Sequence, residues 1–133
     1  MIKSYSELIT LNTYRERLEY LMLFGIVTET TFGSDRLLNQ MFYRTRAWKD
    51  VRDYVIERDD GMDLGIPNRP ILDRITVHHI NPISIAMIHE KSDIILNPEN
   101  LICVSERTHK IIHYSREIPV EYVPRRPNDT KLW

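Results

Sequence analysis

Apolar positions recur at helical spacing through the first sixty residues, then switch to strand-like alternation. Leu18, Leu21 and Met22 share one face, so the spacing predicts a helix over 13–23 behind the capping-type residues of "SYSELITLNT". "FGIVTETTFG", bounded by Gly25 and Gly33, reads as a turn with at most a short strand. "SDRLLNQMFYR" repeats the helical pattern through Leu37, Leu38, Met41 and Phe42. "TRAWKDVRDYVIERDDG" does so through Trp48, Val51 and Val55 and ends at the Asp60-Gly61 cap.

"DLGIPNRP" is turn chemistry, and "ILDRITVHH" alternates through Ile71, Asp73, Ile75 and Val77, which predicts a strand ended by Pro82. A short helix is expected within "ISIAMIHEKSDIIL", a turn at "NPEN" and a short strand at "LICVS". "SERTHKIIHYS" is a helix with Ser105 as its cap, and the proline-bearing "IPVEYVPRRPNDTKLW" is an extended arm. The expected fold class is α+β in one domain over 1–133, with helices to about residue 60 and a strand–loop–strand–helix unit over about 70–114. No internal repeat or low-complexity segment interrupts it.

Composition narrows the class further. Of 133 residues, 42% are hydrophobic and 28% charged, as in ordinary soluble domains. The 18 basic side chains face 19 acidic ones, so the net charge of -1 excludes a uniformly basic nucleic-acid binder and leaves only local basic surfaces. One is Arg44, Arg46, Lys49 and Arg52 around Trp48, the other Arg125 and Arg126 in the arm. A solvated helix face explains the first equally well, and Trp48 itself reads as core. The single cysteine, Cys103, lies in an apolar run and reads as a buried, inert thiol; it excludes a cysteine-based zinc site within one chain. The polar N-terminus and the lack of an apolar run near the ~20 residues of a membrane span lead to the expectation of a cytoplasmic protein.

Four of the five histidines, His78, His79, His109 and His113, fall inside the strand–strand–helix unit. His109 and His113 are i and i+4, so a helix places both imidazoles on one face. Two such ligands and a third from a neighbouring strand make a three-ligand metal site with open positions. One of the adjacent pair His78-His79 can supply that third ligand, because neighbours on a strand point to opposite faces. The other stays free to act as a base near neutral pH. His89, outside the unit, reads as a bystander.

"VHHINPIS" followed by "NPENLICVSERTHKIIHY" resembles the HNH endonucleases, the ββα-metal or His-Me family. His109 follows Asn100 by the spacing that family uses, and His-x-x-x-His with an upstream His-His pair is similar to the nuclease domains of DNase colicins. The resemblance implies a ββα-metal core with the N-terminal helices packed around it. It also implies cleavage of DNA phosphodiester bonds, by nicking or double-strand cutting, with low sequence specificity. In that reading His79 is the general base, Asn100 shapes the loop that orients it, and His78, His109 and His113 hold one divalent ion. Along its whole length the chain resembles small stand-alone HNH proteins of tailed bacteriophages. That company implies DNA packaging, with terminase large subunit or portal protein as partners.

The chain departs from the family pattern at two places. Where many members carry two Cys-x-x-Cys pairs around a structural zinc, this sequence has "GMDLG" and then Ser105 and Thr108, so apolar packing is expected to hold the core. His78 stands where many members have Asp, giving a nitrogen-rich site that favours Mn²⁺ or Ni²⁺ at least as much as Mg²⁺ and binds Zn²⁺ as well. Arg74, Arg107 and Lys110, with the Arg44–Arg52 cluster, are the candidate phosphate contacts. The alternative function is a non-catalytic DNA-binding or packaging accessory whose histidines form a structural metal site.

Overall fold

The computed structural model describes residues 2–24, 40–83, 87 and 93–121. Within them the chain runs α1 (Tyr5–Leu8), α2 (Tyr14–Leu21), α3 (Arg46–Asp59), β1 (Ile75–His79), β2 (Leu101–Ser105) and α4 (Glu106–Tyr114), with 3₁₀ turns at Asp93–Ile95 and Pro98–Asn100. The class is mixed α+β around a two-stranded antiparallel sheet. The predicted turn over 24–33 falls mainly outside the described residues, as do most of the helix from Ser34 and of the helix within "ISIAMIHEKSDIIL"; residues 40–43 are helical.

Each long helix starts where a hydroxyl accepts from an N–H three residues on: Thr13 from Glu16, Thr45 from Trp48 and Ser105 from Thr108. α3 ends on Asp60 in the left-handed region (φ 54°) followed by Gly61 (φ 67°), as that dipeptide predicts. Two sequence expectations need correction. The "ILDR" alternation does not extend β1, because 71–74 pair with no strand and only Ile75–His79 join the sheet. The polar N-terminal stretch forms the short helix α1, capped by Ser4.

The sheet is covered on both faces, which explains why "LICVS" is apolar without alternation. Ile102 and Val104 pack with Ile111 and Ile112 of α4 and with Leu8, Leu18 and Leu21 of α1 and α2. Leu101 and Cys103 pack on the opposite side with Trp48 and Val55 of α3, Phe42 and Ile95. Each such fully buried aliphatic or aromatic side chain contributes roughly 1.5–3 kcal/mol.

The outer edge of β2 is sealed by polar groups. Cys103 donates its N–H to the buried Asp59 carboxylate (2.8 Å), and its carbonyl accepts from Leu64 (2.9 Å). Arg58 pairs with Asp59 (2.8 Å), donates to the carbonyls of Pro98 and Leu101, and lies 3.6 Å over the Tyr5 ring. An edge occupied in this way offers no free strand to another chain.

Candidate metal centre

β1 pairs with β2 in the register His78↔Ile102 and His79↔Leu101, so the two histidines inherit opposite faces of the sheet. His78 turns towards α4. Its ring centroid lies 5.2 Å from His109 and 5.1 Å from His113, whose own Nε2 atoms stand 3.0 Å apart one helical turn from each other. One ring nitrogen from each of the three lies within 4.8 Å of the others.

The protein leaves this cluster chemically unfinished. His78 is 3% exposed, and its buried Nε2 has no hydrogen-bond partner among the described residues. An unpaired buried polar atom costs about 1–3 kcal/mol, so a ring that carries one and packs against two further imidazoles fits an electron-pair acceptor between the three. Burial, then the neighbouring imidazoles, push His78 well below the ordinary histidine range. Burial and His113 lower His109 to about 4, and burial lowers His113. All three are neutral at pH 7, the form that ligates a metal. Two nitrogens on adjacent octahedral positions about 2.1 Å from an ion stand roughly 3 Å apart, close to the His109–His113 separation. The donors fit one divalent ion, without selecting its identity.

His79 turns towards α3. Its Nε2 lies 3.0 Å from the Ile95 carbonyl, and its ring stacks on Trp48 at 5.4 Å and 23°. A carbonyl only accepts, so Nε2 carries the hydrogen and Nδ1 keeps the lone pair. Burial lowers its pKa and the Ile95 hydrogen bond partly offsets this, leaving a neutral imidazole with one basic nitrogen.

Asn100 fixes the loop that holds this ring. Its Oδ1 accepts from the backbone and side-chain N–H groups of Asn81, both at 2.7 Å, while its Nδ2 donates to Asn81 (3.3 Å) and Ile94 (3.2 Å) carbonyls. The carbonyl beyond Ile94 is the one that holds His79. Asn100 is therefore a positioning residue, buried and fully engaged. Asn81 is tied in turn to both backbone groups of Lys3.

Where a zinc knuckle was ruled out, a buried carboxylate takes over. Asp63 accepts from Ser105 Oγ (2.9 Å), Thr108 Oγ1 (2.5 Å) and the Gly65 N–H (3.0 Å). Apolar packing holds the core on both faces of the sheet as expected, and the Asp63 network adds to it. This network anchors the N-terminus of α4, and so the helix that carries His109 and His113. A lone Asp in "GMDLG" gives no pattern from which the sequence could have revealed it.

The candidate DNA contacts are more dispersed. Arg74 is exposed but precedes β1 rather than lying on it. Lys110 pairs with Glu106 (3.4 Å), Arg46 with Asp50 (3.0 Å) and Arg52 with Asp53 (3.7 Å); Arg44, Lys49 and Arg107 are exposed. His89, Arg125 and Arg126 lie outside the described residues. Trp48 and Cys103 are buried as expected, and burial beside Asp59 pushes the thiol up to about 12.

Comparison of the chain with family models, curated proteins and solved structures finds no match. Among the described residues, no helix is long and apolar enough to cross a membrane.

Proposed function

We propose that this protein is a metal-dependent DNA endonuclease of the HNH type. The observation that carries the reading is the division of the His78-His79 pair. His78 completes a three-imidazole cluster with a buried nitrogen that has no hydrogen-bond partner among the described residues, and His79 is held as a neutral base on the other face.

His78, His109 and His113 hold one divalent ion, Mn²⁺, Ni²⁺ or Mg²⁺, with Zn²⁺ also accepted by so nitrogen-rich a set. When bound, the ion supplies electrostatic stabilisation of the scissile phosphate and the leaving 3′ oxygen. Ile95 holds the His79 ring by Nε2, and Nδ1 takes a proton from water as the water oxygen bonds to phosphorus. The P–O3′ bond breaks and the departing 3′ oxygen takes a proton from solvent, leaving a 5′ phosphate and a 3′ hydroxyl. Asn100 keeps the 94–95 carbonyls where this requires them. By the same family likeness the protein belongs to phage DNA packaging beside terminase or portal protein, in the cytoplasm of the host.

The test is supercoiled plasmid incubated with Mn²⁺, Ni²⁺ or Mg²⁺, with and without chelator, beside His79→Ala and His109→Ala. Chelator-sensitive cleavage is expected, abolished in both variants, with metal binding kept in His79→Ala and weakened in His109→Ala. Metal binding with no cleavage under any ion leaves the rival reading, a DNA-binding accessory with a structural metal.

A further inference from the structure

The start of α3 surrounds an open cavity of about 390 Å³ that the metal cluster does not use, lined by Tyr43, Trp48, Lys49, Arg52 and Asp53. Its wall is aromatic. Tyr43 is 36% exposed and meets Trp48 edge-on at 4.9 Å. Trp48 stacks on His79 with a ring separation of 5.4 Å, so one indole borders both the cavity and the candidate base. The rest of the lining is charged, with two cations and one carboxylate, and Asp53 only loosely engages Arg52 at 3.7 Å. A net positive charge remains.

An accessible ring flanked by cations suits a planar, uncharged group that carries an anion. Nucleobases with their phosphates have that chemistry, and every base offers a face to stack. We infer that this cavity takes one unpaired nucleotide of the substrate strand, its base against Tyr43 and its phosphate against Lys49 and Arg52. The identity of the strand rests on the nuclease reading above. A base can present its face to Tyr43 only when it has left the duplex stack, so the site favours single-stranded or locally opened DNA over intact duplex. Because Trp48 joins the cavity to His79, the bound nucleotide sets which neighbouring phosphate reaches the base.

Two tryptophans are present, so a Trp133→Phe background makes Trp48 the sole indole reporter. In chelator, which suppresses cleavage, the full chain is titrated with oligonucleotides of about eight nucleotides, single-stranded and duplex. Single strands should quench Trp48 and bind more tightly than duplex. Tyr43→Ala should weaken single-strand binding about tenfold, while Tyr43→Phe retains it. An oligonucleotide abasic at one position should cost wild type a similar factor, a result independent of how any variant folds. Lys49→Ala should lower the salt slope by about 0.7. Equal affinity for duplex, or indifference to both Tyr43→Ala and the abasic series, overturns the site. Binding as described without metal-dependent plasmid cleavage overturns the nuclease reading alone; cleavage with these indifferent results overturns the cavity alone.

Discussion

The Nε2 atoms of His109 and His113 stand 3.0 Å apart on successive turns of α4, and the His78 ring packs against both, its centroid 5.2 and 5.1 Å from theirs. In the metal-free protein these two nitrogens share at most one hydrogen, and protonating both would set like charges in contact. That relationship governs how the protein should respond to metal and to acid.

Metal should stabilise the fold, because the three imidazoles converge only in the folded chain. An ion at a hundred times its dissociation constant should raise stability by about 2.7 kcal/mol, on the order of 10 °C in Tm. Differential scanning fluorimetry with Mn²⁺, Ni²⁺ and Zn²⁺ should show the shift in wild type and His79→Ala but little of it in His109→Ala. Equal shifts in all three proteins would place the ion elsewhere.

Acid should weaken the metal-free protein in the window set by its histidines. The folded value of His109, about 4, lies below the unfolded value of 6.5, so the unfolded chain binds more protons in between. Stability is therefore full above about 6.5 and is lost as pH falls from there towards 4, by at most about 3 kcal/mol from His109. His78, His79 and His113 shift the same way and add to the loss. Urea midpoints at pH 7.5 and 5 should differ in wild type, and differ less in the variant lacking both His109 and His113.

Replacing Asn100 by Ala removes the partner of the Asn81 backbone N–H and of the Ile94 carbonyl, both partly buried. The expected loss is about 2–4 kcal/mol by chemical denaturation. Below its melting point the variant should still bind metal through His78, His109 and His113. Its cleavage rate should fall further than its metal affinity, because the 94–95 carbonyls that position His79 have lost their anchor. Parallel losses in both would show that Asn100 acts on the whole fold.

The Asp63 network makes a packing prediction as well. A Cβ at Gly65 would sit 2.5 Å from Thr108 Cγ2, and this buried threonine is pinned through its hydroxyl. Gly65→Ala should cost about 1–3 kcal/mol. Asp63→Ala, which leaves two hydroxyls and one N–H without their acceptor, should cost about 2–4 kcal/mol. Unfolding curves that superimpose on wild type would remove the network from the account of α4.

Much of this architecture was legible from local chemistry. The caps Thr13, Thr45 and Ser105, the Asp60-Gly61 stop and the apolar run of β2 report short-range physics, and the structure places those elements within a residue or two. The i, i+4 spacing of His109 and His113 and the opposite faces of His78 and His79 follow from helical and strand periods alone. Tertiary structure decided everything that depends on where two distant segments meet. It joined His78 to α4 through the register with Ile102, and set Ile95 as the partner of His79. It also brought Asp63 beneath Ser105 and Thr108 and laid Trp48 on His79. No periodicity encodes such contacts, because each is the outcome of packing helices on two faces of one small sheet, where burial first creates the unmet polar demands that these residues satisfy.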